Sequence, residues 1–156
     1  RALFIAIVQS AKTLLISLDD WILPKTEREH IIDVFHNFQL PKLEADLEAI
    51  LRGQKVTASG YARHPLRIAQ STDYKLDNHD VVILEGIVAL STAHLRSLAD
   101  LKIFKEVDEE TLKRRIETFY SWKGFTPEAI EKLFAERKPT EYDLIAKDVT
   151  FADMRL

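Results

Sequence analysis

Residues 12–28 read KTLLISLDDWILPKTER, and the fold class turns on this stretch. The run TLLISL at 13–18 is strand-length and apolar with no polar alternation, the pattern of a strand covered on both faces in a parallel sheet. It breaks into Asp19, Asp20 and Trp21, then into a charged loop containing Pro24. VVILEG at 81–86 repeats the arrangement, an apolar strand delivering Glu85 ahead of Gly86. A third strand is expected over 101–107, ending at Asp108.

Helical patterns fill the intervals. Over 40–51, Leu40, Leu43, Leu47, Ile50 and Leu51 share one face, and Gly53 follows as a stop. A short helix is expected at 95–98. After the third strand, Leu112, Ile116, Phe119 and Tyr120 define one helix; Thr126 and Pro127 open another, with Ile130, Leu133 and Phe134 as its stripe. A further helix is expected over 141–147 and a last strand over 149–154. Residues 54–75 mix β-branched and polar types and read as a hairpin flap. Residues 1–11 place Leu3, Ile7 and Ala11 at helical spacing with no capping residue before them, as if begun within a helix. Strands alternating with helices predict an α/β domain with a parallel sheet, which binds ligands at the carboxyl ends of its strands. Asp19, Glu85 and Asp108 all fall at that edge.

Composition narrows the chemistry. A net charge of −3 over 156 residues argues against nucleic acid as the main partner, which needs a basic surface. A single nucleotide needs only a local positive cluster. The absence of cysteine excludes disulfides, thiolate chemistry and cysteine-ligated zinc, and fits a cytoplasmic protein. No apolar run is long enough to cross a bilayer, so no membrane association is expected. His30, His36, His64, His79 and His94 are scattered without metal-ligand spacing. No nucleophile elbow of the GxSxG kind occurs.

Two carboxylates, each delivered to the C-terminal end of a strand, are what phosphoryl transfer uses. One orients or deprotonates the attacking hydroxyl, and the other holds Mg²⁺, directly or through water. Arg114, Arg115, Lys123 and Arg137, on the helices after the third strand, have the charge of a lid over a transferred phosphoryl group. Each feature also has a plainer reading. An acid after a strand is often a helix N-cap, and basic residues along a helix are often a solvated face, Glu110 and Arg114 having i,i+4 spacing. Trp21, Trp122 and Phe38 have the character of packing residues.

The chain resembles the uridine kinase and phosphoribulokinase type of P-loop small-molecule kinase. The carriers are KTLLISLDDWILPKTER, then VVILEGIVALSTAHLRSLADLKIFKEVDEETLKRRI at 81–116, GFTPEAIEKLFAERKPTEYDLI at 124–145 and FADMRL at 151–156. The resemblance implies a three-layer α/β/α domain over residues 1–156 with a helical lid at 108–140. It implies Asp19 as catalytic base, Glu85 at the Mg²⁺ site, and Arg114, Arg115, Lys123 and Arg137 facing phosphate. The acceptor side would draw on Trp21, Arg28, His36, Phe38, Tyr61, Arg63, His64 and Arg67. ATP and Mg²⁺ are the implied cofactors, a small-molecule acceptor and a nucleoside triphosphate the implied partners, and a homo-oligomer a further expectation.

Departures from the family pattern are specific. Nothing matches GxxxxGK followed by Ser or Thr; in the family that loop and its central strand would precede Arg1. Where the family has an acidic stretch for ribose, this chain has VFHNFQ at 34–39, and its Tyr-Asp-Phe segment becomes YARHPLR at 61–67. Trp21 keeps an aromatic after the catalytic Asp, but Ile22 stands where a Tyr is usual. Lys123 and Thr118 occupy lid positions where Arg is common, and Lys does not replace Arg in bidentate phosphate contacts. An acceptor other than uridine, such as a sugar phosphate bound by Arg28, Arg63 and Arg67, is therefore also expected. The alternative is a kinase-like domain that binds a metabolite or partner without turnover.

Overall fold

Strand β1 (Thr13–Ser17) pairs in parallel with β4 (Val81–Glu85), in a register that sets Ser17 beside Glu85. The computed structural model describes residues 11–24, 27–28, 33–60 and 70–156. Between the paired strands lie helix α1 (Leu40–Leu51) and an antiparallel hairpin of β2 (Val56–Ala58) and β3 (Thr72–Tyr74). After β4 come α2 (Ala93–Leu98), β5 (Ile103–Phe104), α3 (Glu109–Trp122), α4 (Pro127–Arg137), α5 (Asp143–Lys147) and β6 (Met154–Arg155). Strands β5 and β6 form a second parallel pair. Among the described residues β4 and β5 are not bonded neighbours, so the parallel sheet comes in two halves. Every side chain of β4 from Val81 to Leu84 is only half-buried.

The core lies on the α1 side. Leu43, Leu47 and Ile50, three to four residues apart, pack against Ile16, Leu18 and Trp21, and all six are essentially inaccessible. Each such side chain contributes about 1.5–3 kcal/mol by leaving water. Val88 and Leu95 close the cluster from the segment after β4. The flap reaches the same core through Ala58 and Tyr74.

Local chemistry places the helix ends. Thr92, Asp108 and Thr126 each accept a hydrogen bond from a first-turn amide, those of Leu95, Thr111 and Ala129. Helix α3 stops at Gly124, whose φ of +88° lets its N–H reach the Ser121 carbonyl and that of Phe125 the Tyr120 carbonyl. That double closure needs a left-handed residue, and it turns the chain sharply from α3 into α4.

Three expectations are corrected. The strand foreseen over 101–107 is only Ile103–Phe104, because it pairs with the two residues of β6 alone. Asp108, four residues beyond it, is the N-cap of α3; the amide of Thr111 holds its carboxyl below the ordinary range. The tail strand begins at Met154, preceded by a 3₁₀ turn over Asp148–Phe151. Asp153 starts the pairing by accepting hydrogen bonds from the backbone and the ammonium of Lys102. Instead of one helix over 141–147, a π-helical turn at Lys138–Tyr142 leads into α5. Pro139 lacks the N–H that an α-helical ladder would use there, and the Asp143 amide reaches back five residues to the Lys138 carbonyl. The helix read over 1–11 lies outside the described residues, apart from Ala11.

Gly86 supports a stability test. It has a φ of +153°, and a Cβ built there would come within 2.9 Å of the Leu18 Cβ. Gly86→Ala is expected to destabilise the protein by about 1–3 kcal/mol through strain and overpacking, read as a lower urea midpoint. An unchanged midpoint would show that the β1–β4 edge has slack.

Candidate functional site

The carboxyl edge of β1 and β4 gathers the acidic groups. Directly after β1 the chain winds into a single 3₁₀ turn, Leu18–Trp21, with Asp19 and Asp20 in it. Leu18 and Trp21 anchor the turn in the core, and the two aspartates between them stay partly accessible. At the end of β4, Glu85 is exposed, and its Oε1 accepts a hydrogen bond from the Ser17 hydroxyl at 2.8 Å. The two strand ends are thus joined by side chains as well as by the ladder.

Behind the turn stands Tyr74, from the flap. Its hydroxyl donates to Asp20 Oδ2 at 2.6 Å and accepts from the Ser17 amide at 3.3 Å. Its ring stacks on Trp21, with centroids 5.7 Å apart. The Trp21 indole N–H in turn donates to Asp46 of α1 at 2.7 Å.

The helical segment brings the cations. Lys123, the cap residue of α3, lies over the Phe119 ring at 4.2 Å and near that of Tyr120 at 5.4 Å. Arg137, the last residue of α4, stands 5.6 Å from the same Tyr120 ring. Burial, together with the positive charges of Arg137 and Arg28, lowers the pKa of Lys123. Arg28 is therefore a neighbour of the lid cations, and its Nε donates to the Leu23 carbonyl at 2.9 Å. Glu141, in the π-helical turn, pairs with Arg137 at 3.5 Å. Burial raises the pKa of Glu141, Arg137 opposes the rise, and the charge of Asp19 adds to it. Tyr142 is pushed up to about 12 by burial and by Glu141. The π-helical turn thus brings the Arg137–Glu141 pair into electrostatic reach of the turn that carries Asp19.

The remaining candidates divide. Arg114 and Arg115 are exposed and line an open groove along α3 with Thr118, Phe119 and Trp122. Phe119 lies between them and Lys123. Trp21 and Phe38, expected among acceptor contacts, belong to the core at 1% and 6% exposure, so the packing reading replaces a ligand-stacking one. His36 is exposed, and its Nδ1 is 2.9 Å from Asp33, which also caps the short turn Val34–Asn37. Tyr61, Arg63, His64 and Arg67 lie outside the described residues. Among the described residues no group of three or more His, Asp or Glu could cage a metal ion. Glu85 and Asp19 instead offer hard, partly exposed oxygens, which suit a largely hydrated Mg²⁺ held by one or two carboxylates. No helix among the described residues is long and apolar enough to cross a membrane.

Sequence reading missed Tyr74 and Glu141. The i,i+4 spacing of Arg137 and Glu141 was a visible signal for the second. Nothing local points from Tyr74 to Asp20, 54 positions away.

Glu141 makes a pH prediction. With its folded pKa raised above the ordinary 4.5, the folded state binds the extra proton, so this group's contribution is full below 4.5 and is lost as pH rises through the folded value. The stability of wild type minus that of Glu141→Gln should therefore fall between pH 4 and pH 7 in paired urea titrations. A difference that is flat or rises with pH would contradict the buried placement.

Comparison with known proteins gives the following. Residues 23–156 match the model of the Phosphoribulokinase / Uridine kinase family. A uridine kinase of Streptococcus pyogenes is 27% identical over 132 residues, covering 83% of this chain and 61% of the relative. One from Lactococcus lactis is 31% identical over 121 residues, covering 75% and 57%. The chain thus spans about three fifths of the length of these curated relatives. Among solved structures, a possible uridine kinase from Bacillus stearothermophilus superposes with a TM-score of 0.60 at 13% identity, covering 98% of this chain and 76% of that one. A candidate fructose transport system kinase from Silicibacter gives 0.70 at 15%, covering 96% and 77%. The α/β fold of the P-loop kinases is common to both.

Proposed function

This chain belongs to the phosphoribulokinase / uridine kinase family, and from that premise we propose that it carries the acceptor and lid side of an ATP- and Mg²⁺-dependent small-molecule kinase. The acceptor would be a hydroxyl of a nucleoside or of a sugar or sugar phosphate. The observation that carries the proposal is the pairing of Ser17 with Glu85 across β1 and β4. It holds the carboxylate of Glu85 at the same sheet edge as the turn bearing Asp19, while Arg137 and Lys123 approach from the helical side.

In this reading Asp19 accepts the proton of the attacking hydroxyl as its oxygen bonds to the γ-phosphorus of ATP, the bond from that phosphorus to the β–γ bridging oxygen breaks, and ADP leaves with that electron pair. Glu85 would hold Mg²⁺, through water, and the ion when bound supplies charge neutralisation on the phosphate oxygens. Burial, and with it the repulsion of Arg137 and Arg28, lowers the pKa of Lys123. An anionic phosphoryl group among them would relieve that repulsion, so the cluster favours charge that spreads over phosphate oxygens in the transition state. Positioning and electrostatics are most of what this chemistry requires. Two relatives inform the acceptor class. One is named a uridine kinase and the other a candidate fructose transport system kinase, which supports both a nucleoside and a sugar in the panel to be tried.

The test is γ-phosphoryl transfer by the full-length protein from ATP with Mg²⁺, against nucleosides, pentoses, hexoses and their phosphates. Asp19→Asn is expected to lower kcat by roughly 10²–10⁴-fold, the usual contribution of a general base, with ATP affinity unchanged. Arg137→Lys is expected to lower kcat as well, since an ammonium cannot reproduce the guanidinium fork. Turnover undiminished in Asp19→Asn would remove Asp19 from the mechanism. Absence of both turnover and ATP binding in the wild type would leave a kinase-like binding domain.

A further inference from the structure

We infer that Tyr74 is a positioning residue for this site, locking the turn that bears Asp19 to the strand end that bears Glu85. The inference rests on the kinase reading for its purpose and on geometry for its substance. One phenolic oxygen serves two partners: it donates to Asp20 Oδ2 at 2.6 Å and accepts from the Ser17 amide at 3.3 Å. The hydroxyl of the same Ser17 donates to Glu85 Oε1 at 2.8 Å. A continuous path, Asp20 to Tyr74 to Ser17 to Glu85, therefore links the two strand ends. Asp19 lies inside the span that the path closes, between Ser17 and Asp20.

The ring of Tyr74 adds a second constraint. It is buried, at 5% exposure, and stacks on Trp21, the last residue of the turn. The turn is thus gripped at Ser17 and Asp20 by the hydroxyl and at Trp21 by the ring. Moving the backbone of the turn at Ser17, Asp20 or Trp21 would strain these contacts. Burial, with the neighbouring charges of Asp20 and Glu85, raises the pKa of the phenol. It stays protonated, and able to donate, at any pH at which the protein works.

A tyrosine in a flap strand that only filled the core would need no hydroxyl, and phenylalanine would serve as well. Here the hydroxyl bonds both Asp20 and Ser17. A shift of about 1 Å in a reacting group can cost roughly 10²-fold in rate, so an interaction that holds the turn by two hydrogen bonds acts on kcat rather than on ligand affinity.

The experiment is Tyr74→Phe in the full-length protein, with amide hydrogen exchange and steady-state kinetics on one preparation. Exchange at Ser17 and through residues 18–22 is expected to speed up while α1 keeps its protection. Against the acceptor found for the wild type, kcat should fall roughly tenfold with both KM values nearly unchanged. Asp20→Ala, which removes the acceptor, should cost a similar factor, and the double variant no more than either single one, since both break the same path. Unchanged exchange in residues 17–22, or a kcat equal to wild type, overturns the inference. So does a loss confined to thermal stability or to KM. If the wild type itself turns nothing over, it is the kinase reading that falls, and the catalytic purpose of Tyr74 falls with it.

Discussion

The parallel pairing of β1 with β4, in a register that sets Ser17 against Glu85, is the constraint on which the rest depends. Side chains alternate along a strand, so a slip of one residue would send Ile16 out of the core and turn Glu85 to the wrong face. The register is enforced from three directions. Ile16 is sealed beneath α1, the Ser17 hydroxyl is bonded to Glu85, and the close approach of Gly86 to Leu18 leaves no room for a side chain. With the register set, the turn after β1 has one place to go. Leu18 and Trp21 are drawn into the core, and the two aspartates between them stay at the sheet edge.

The helical side answers that acidic edge with an arrangement of opposite character. Arg137 and Arg28 stand near enough to act on the charge of Lys123, and aromatic rings lie beside Lys123 and Arg137. Glu141 pairs with Arg137 as a partly buried carboxylate whose ionisation both burial and Asp19 oppose. Such a balance is sensitive to a bound anion. The backbone makes it possible through two irregular features: the left-handed Gly124 that ends α3 beside Lys123, and the wide turn that Pro139 forces after Arg137.

Much of this was legible in the amino-acid order, and the reasons are local. Helix α1 was readable to its end residues because its apolar spacing is strict and Gly53 follows it. The start of α4 was marked by Thr126 as its capping residue and Pro127 after it. The apolar runs ahead of Asp19 and Glu85 identified both strand ends. Reading failed where pairing partners set an element's length. The strand at Ile103–Phe104 is short because β6 offers two residues, and no property of 101–107 records that. Trp21 and Phe38 have the character of packing residues by type and were acceptor contacts only by resemblance, and their burial decides for packing.

By itself, then, the sequence determined the α/β class and the two carboxylates at strand ends, because each follows from periodicity or from a short run of neighbours, while the family rested on the resemblance of several segments in their order. The tertiary structure decided what lies between those landmarks. It joined Tyr74 to Asp20 across 54 positions, set Arg28 among the cations of a helical segment about a hundred residues away, and turned Asp108 from a candidate site acid into a helix cap. Those contacts depend on how separate elements pack, and packing is a property of surfaces that meet only once the chain has folded.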